Sequence, residues 1–506
     1  MRSFYLNARP RRFFLLGSTS VSRALLLLFA PAFVAAQNLP VLGDADRSTL
    51  SPLMERKLGE EVMRDIRRDR DYMNDGPLLE YLNNFGNKLV LARPDVRGEA
   101  NFDFFFFAVR DPVLNAFALP GGFIGVHSGL ILAAQSESEL AAVLAHEIGH
   151  VTQRHLARML GQQKNDSMIA LASMLLGALV LRGSGDAGAA IMMGGTGFAM
   201  QRQLSFSRDA EREADRIGLA ILGESGFETS GMVAFFGRLQ SASRNYSDAV
   251  PAYLLTHPLT TERIADIEAR IRDQRYRQHA DSLDFQLIRA RVRVLQDTSE
   301  KGLRDAHLVF ENQLRLHVKQ QTVAAKYGLA FIAFKQNAYD KAERLLTEAS
   351  ASAAPAKSSL ALSDLDIEIK LASNRTAQAL KLIATAMDEF PLARSMAYQY
   401  ANALIADKQL AEAAAYLREQ SQLYRQDAEI QDLLAKAYAA QGKQALQHMA
   451  LAESYALTGS LPAAIIQLEI ARKAPDAQFY EQAVIDARYR ELKERWKDEQ
   501  EDTKNR

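Results

Sequence analysis

The chain has 506 residues, 48% of them hydrophobic and 24% charged, an ordinary globular composition that excludes a wholly disordered or fibrous protein. Lys+Arg and Asp+Glu both total 61, so there is no bulk basic field to recruit nucleic acid. Cysteine is absent, which excludes disulfides, thiol catalysis and Cys-ligated metal, and leaves metal chemistry to His and carboxylates.

Residues 1–36 carry five arginines and no acid, and Ala24–Ala35 is an apolar run of the length of a signal-peptide core. Val34-Ala35-Ala36 places small residues for signal peptidase, so a cleaved leader ending near Ala36 and export to a bacterial periplasm are expected; a short membrane anchor is the alternative. Residues 40–100 read as helical, with Leu79, Leu82, Phe85, Leu89 and Val90 on one face. Phe102–Val109 is too aromatic for a comfortable helix and reads as β. Two short strands should flank the Pro120-Gly121-Gly122 turn. An extended peptide could add to an exposed edge there, with Phe117 and Phe123 flanking its side-chain positions.

Ser136-Glu-Ser-Glu139 suits a helix N-terminus, and the helix that follows should be amphipathic, turning Leu140, Val143, Leu144 and Ile148 inward. It carries His146-Glu147-Ile-Gly-His150. Residues four apart lie about 40° apart around a helix, so both imidazoles share a face and can meet one metal ion. Zn²⁺ takes such nitrogens and keeps an open position for water in catalytic sites, where Glu147 can act as general base and then general acid. His155 falls five residues beyond His150 with no glycine turn before it, so it points off the ligand face and is rejected as a ligand.

Residues 167–200 are strongly apolar and Gly-rich. They read as a buried helical hairpin or as a segment that touches membrane or a partner. In Ser207–Gly218, Glu211 and Asp215 are four apart on a second helix, so one can bind metal while the other orients a ligand imidazole. Glu213 is the rival and points about 200° from Glu211.

After about residue 295 the chain becomes rich in Ala, Leu, Gln and Glu. Ala342, Ala379, Ala413 and Ala464, each twelve residues after Ala330, Ile367, Ala401 or Ala452, recur close to the 34-residue tetratricopeptide period, with an insertion around Gln441–His448. Stacked helix pairs make a concave surface that holds protein segments. The charged stretch Glu491–Arg506 reads as a fraying tail.

His146-Glu147-x-x-His150 followed by Glu211-x-x-Ala214-Asp215 resembles the CAAX-prenyl-protease/heat-shock-protease family of zinc metallopeptidases. Asn115-Ala-Phe-Ala-Leu-Pro-Gly-Gly and His127-x-Gly129-Leu130 are similar to its exported branch. The resemblance implies one Zn²⁺ held by His146, His150 and Glu211, with Asp215 behind a ligand imidazole. It also implies proteolysis, and chaperoning, of unfolded or stalled outer-membrane proteins near the barrel-assembly machinery. His257-Pro258-x-x-x-x-Arg263 resembles a further motif of the family. There the His is either a fourth metal ligand that latches the enzyme shut or a transition-state stabiliser; outside the resemblance it reads as a surface loop His.

The expected fold is mainly α. A gluzincin-type protease domain with a small β-hairpin or sheet (37–295) precedes a helical-repeat domain (296–490) and the tail (491–506). The rival functions are a chaperone or assembly scaffold whose zinc site is mainly structural, and a hydrolase of small amides.

Overall fold

The computed structural model describes residues 50–98, 100–161, 207–245, 252–272, 277–353 and 358–504. The expected leader and the apolar segment 167–200 lie outside these. Residues 48–506 form one compact unit.

Helix α1 (Pro52–Arg68) starts where the Ser51 hydroxyl accepts from the Met54 N–H and Pro52 fills the first turn. Such a cap contributes about 1 kcal/mol. Asp75 caps α2 (Gly76–Ala92) in the same way. The sheet holds β1 (Phe105–Val109), β2 (Ala116–Leu119) and β3 (Phe123–His127) in the order β1-β3-β2. The hairpin expected around Pro120-Gly121-Gly122 is the antiparallel β2–β3 pair, and β1 adds in parallel on the other side of β3. β2 is therefore an edge strand of this sheet.

The Phe117 and Phe123 side chains do not flank a peptide site. They are 7% and 3% exposed and pack with Val62, Ile66, Phe107 and Leu119 in a small core under α1. Aromatic burial of this size outweighs any benefit of leaving the rings free for a ligand. What β2 turns to its outer edge is main chain, and only at Ala118 is it partly exposed; Ala116 is fully buried. The His127 N–H bonds the Asn115 carbonyl at 3.0 Å, so the antiparallel alternation turns the main-chain groups of Ala116 and Ala118 to the outer edge.

After α3 (Ser128–Ala133) comes α4 (Glu137–Thr152), capped by Ser136. All sixteen residues of α4 are buried, so the amphipathic expectation fails: the helix is central, not half-exposed. At its start the Glu137 carboxylate finds partners, accepting from the Ser282 hydroxyl at 2.7 Å and the Tyr81 hydroxyl at 3.0 Å. The protease part continues through α5 (His155–Gly161), α6 (Arg208–Glu224), α7 (Ser230–Asn245), α8 (Ala252–Thr256) and α9 (Thr261–Arg272).

The helical part runs from α10 (Leu283–Gln296) and α11 (Glu300–Arg315) into successive antiparallel hairpins. These are α12 (Lys319–Lys335) with α13 (Tyr339–Ala353), α14 (Leu360–Ala372) with α15 (Thr376–Glu389), and α16 (Arg394–Ala406) with α17 (Leu410–Leu423). Ala330, Ala342, Ile367, Ala379, Ala401 and Ala413 are all fully buried, as small or apolar seats between paired helices must be. The longer spacing before Ala464 is not an insertion around Gln441–His448. A whole helix, α18 (Ala428–Ala440), occupies it, and residues 444–448 already belong to α19 (Gln444–Leu457), followed by α20 (Leu461–Lys473). The last helix, α21 (Phe479–Lys504), passes residue 491 unbroken, with Leu492 buried and Trp496 packed on the same cluster. The expected fraying tail therefore starts too early: the first turns after 491 are held by packing.

The repeats are not a free-standing scaffold. Arg291 of α10, 2% exposed, is bound by Asp75 at the start of α2 and by Asp364 and Glu368 of α14, and donates to the Tyr327 hydroxyl of α12. The Arg394 N–H at the start of α16 donates to Glu80 of α2 at 2.6 Å, and Gly76 admits Ser395 so closely that a Cβ would stand 2.6 Å from it. The repeat surface expected to hold other proteins is thus partly covered by the chain's own α2. Among the described residues no helix is long and apolar enough to cross a membrane.

Candidate metal centre

Two glycines set the distance between α4 and α6. A Cβ on Gly149 would lie 2.9 Å from the Ala214 carbonyl oxygen, and one on Gly218 would lie 2.9 Å from the His146 nitrogen. Only backbone-to-backbone approach of this kind lets side chains as short as Glu211 and Asp215 reach the imidazoles of α4. Ser207 caps α6, so the helix carrying both acids starts one turn before the first of them.

His146, His150, Glu211 and His257 converge, all buried, with one potential ligand atom from each lying within 4.8 Å of every other. His146 Nε2 and His150 Nε2 are 3.0 Å apart, and each is 3.5 Å from an oxygen of Glu211. Imidazole nitrogens meeting a carboxylate in a buried space is the donor chemistry of a nitrogen- and oxygen-loving transition metal, and these residues fit one. His257, at the end of α8, contributes Nδ1 at 3.0 Å from Glu211 Oε1 and Nε2 at 3.5 Å from Glu147 Oε1. Glu147 is fully buried, and neither of its oxygens has a hydrogen-bond partner among the described residues.

Asp215 Oδ1 lies 2.9 Å from His146 Nδ1. Arg263 of α9 holds Asp215 with Nε at 2.7 Å and Nη2 at 2.8 Å, pairs through Nη1 with Glu211 Oε2 at 2.7 Å, and donates from Nη1 to the Pro258 carbonyl. One guanidinium therefore ties the His257-Pro258 turn to both acids of α6. Tyr253, one turn before His257, stacks its ring on that imidazole with centroids 4.5 Å apart, and its hydroxyl is buried.

Electrostatics follow from burial set against these partners. Burial lowers His146, but the Asp215 and Glu211 carboxylates outweigh it and raise the imidazole to about 9. Burial dominates at His150 and drives it well below its ordinary value, with further depression from the neighbouring imidazoles. Glu211 is pushed up by burial yet ends well below the usual carboxylate range, chiefly through His257 and His146. Asp215 likewise ends lowered, mostly by its bonds to Arg263 and His146. Burial raises the Tyr253 phenol well above its ordinary value, so it stays protonated.

Sequence reasoning missed three features. His155 is not off-face in the way a straight helix implies. α4 ends at Thr152, Arg154 adopts φ +52°, and the chain turns back so that His155 Nδ1 lies 2.9 Å from His150 Nδ1. A left-handed Arg is costly and no glycine marks it in the sequence; Glu55 at 3.0 Å and the Leu50 carbonyl hold its side chain. Glu213, considered only as a competing ligand, instead meets His155 Nε2 at 3.1 Å. Tyr253 carries no motif, and periodicity could not have found it.

Residues 81–271 match peptidase family M48. The chain is 35% identical over 472 residues to the beta-barrel assembly-enhancing protease of Escherichia coli (strain K12), covering 92% of this chain and 94% of that one. It is 34% identical over 455 residues to the protein of the same name from Yersinia pestis, covering 90% and 91%. The mitochondrial metalloendopeptidase OMA1 of Schizosaccharomyces pombe is 27% identical over 271 residues, or 53% of this chain and 74% of that one.

Proposed function

We propose that this chain, which belongs to peptidase family M48 and is a metallopeptidase, works as a periplasmic zinc endopeptidase on unfolded or stalled outer-membrane proteins. The name of these relatives, beta-barrel assembly-enhancing protease, supports the client class and a place beside the barrel-assembly machinery. The Arg-rich apolar leader supports export. The helix pairs, with their buried alanines near a 34-residue period, support tetratricopeptide-type repeats that dock and chaperone clients.

The observation that carries the enzymatic reading is the buried quartet His146, His150, Glu211 and His257 with Glu147 beside it, neither of whose oxygens takes a hydrogen bond among the described residues. His146, His150 and Glu211 would hold one zinc per chain, which when bound supplies a Lewis acid for the scissile carbonyl and makes a water more acidic. Glu147 takes the proton of the attacking water and delivers it to the leaving amine. Asp215 fixes the His146 ring, and Arg263 fixes Asp215. An extended client would pair with the outer main chain of β2 at Ala118, the partly exposed residue of that edge.

His257 is read as a latch. Its imidazole joins the same buried cluster and would compete with water for a bound metal, and its turn is held by Arg263 through Pro258. A site closed by four protein groups is also what a structural zinc looks like, and this favours a second reading: an assembly scaffold whose metal mainly folds the domain.

Casein hydrolysis by the mature chain beside Glu147→Gln, with zinc counted by atomic emission, separates the two. One zinc in both proteins with activity only in wild type supports the protease. One zinc in both with no activity in either, and none in zinc-loaded His257→Ala, favours the scaffold, and no zinc in either removes the metal reading.

A further inference from the structure

The two imidazoles of α4 face each other through Nε2 atoms 3.0 Å apart. Two N–H groups cannot point at one another at that distance. With both nitrogens presenting lone pairs to a metal, each ring carries its proton on Nδ1, and each Nδ1 needs an acceptor. For His146 the acceptor within reach is Asp215, whose Oδ1 lies 2.9 Å from Nδ1 as an ion-pair contact. For His150 it is a second imidazole: His155 Nδ1, also at 2.9 Å. His155 then presents Nε2 to Glu213 Oε2 at 3.1 Å, and Arg158 anchors the same oxygen at 3.1 Å.

We propose that His155 and Glu213 are positioning residues, a His–Glu relay that fixes the tautomer and ring plane of His150. The inference rests on the reading that His146 and His150 hold a metal. In the relay His150 Nδ1–H donates to His155 Nδ1, and His155 Nε2–H donates to the Glu213 carboxylate. No proton changes owner; the chain of donors only excludes the tautomer of His150 that would put a proton where the metal binds. Glu213 and Asp215 thus divide the work from one helix: Asp215 reaches its imidazole directly, and Glu213 reaches the other through His155. The left-handed Arg154 that returns His155 to His150 acquires a reason.

The test is metal affinity, read by chelator competition with Zn²⁺, and the ligand-field absorption of the Co²⁺-loaded protein. Wild type, His150→Ala, His155→Ala, His155→Asn and Glu213→Gln are compared. Lost partners behind a ligand cost about 10–100-fold in metal affinity. A drop in that range is expected for His155→Ala, a smaller one for Glu213→Gln, and a recovery for His155→Asn, whose amide oxygen stands where Nδ1 stood. The Co²⁺ bands should shift in His155→Ala and Glu213→Gln.

His155 is 4% exposed, and its alanine variant can fail to fold; Glu213, with a side chain 30% exposed, then carries the test. Affinities and bands within twofold of wild type in both Glu213→Gln and His155→Ala would overturn the relay, as would His155→Asn binding no better than His155→Ala. If wild type binds neither ion, or His150→Ala binds as wild type does, the metal reading itself fails, a result distinct from failure of the relay alone.

Discussion

Arg263 grips Asp215 with two parallel hydrogen bonds of 2.7 and 2.8 Å, both side chains being 3% exposed. Its remaining nitrogen reaches Glu211 and the Pro258 carbonyl, so one buried cation balances the two acids behind the imidazoles. Removing it would leave those charges buried and uncompensated. Arg263→Leu should cost about 3–5 kcal/mol of stability by urea denaturation. Arg263→Lys should recover only part, because a lysine cannot make the paired contact.

Asp215→Asn keeps the size of the side chain but removes the charge that holds the His146 proton on Nδ1. Zinc affinity should fall about 10–100-fold in chelator competition. The melting temperature of chelator-treated protein should change less than that of Arg263→Leu.

His257 decides between latch and catalytic group. His257→Ala should hydrolyse casein several-fold faster than wild type while keeping its zinc. A variant that keeps its zinc and loses activity would instead make His257 a stabiliser of the transition state.

β2 can be tested on its main chain rather than its aromatic rings. Phe117→Asp buries a carboxylate against Phe107, whose ring lies 5.8 Å away, and should lose at least about 3 kcal/mol of stability instead of altering KM. Ala118→Pro removes an outward N–H without taking a ladder bond from β3, so it should raise KM for peptides with folding retained. Unchanged kinetics would remove β2 from substrate binding.

The Arg291 cluster predicts a pH dependence. Burial raises Asp364 to about 8 from its ordinary 3.8; Glu368 and Asp75 repel its charge, and Arg291 and the Gln399 amide offset part of this. The folded chain therefore holds a proton that the unfolded chain releases. Stability from this group is present at low pH and falls as pH rises from about 4 to about 8. Urea midpoints at pH 5 and 8 should show a shallower decline for Asp364→Asn than for wild type.

Much of this protein was legible in its residues. Helical periodicity is local, so His146 and His150 on one face, the acids of α6 and the paired helices after residue 295 could be read directly. The hairpin at Pro120-Gly121-Gly122 was legible for the same reason: turn chemistry depends on neighbours. Tertiary structure alone decided the rest. Whether α4 was half-exposed or central depended on elements up to 145 residues away, such as the Ser282 that bonds Glu137. Phe117 was a candidate substrate contact until α1 and β1 closed over it. His155 became a partner of His150 only because the chain breaks at Arg154, a conformation set by contacts to Glu55 and Leu50 rather than by any preference of arginine. Spacing reports which side chains share a face; which faces are brought together is settled by burial and by contacts distant in the chain.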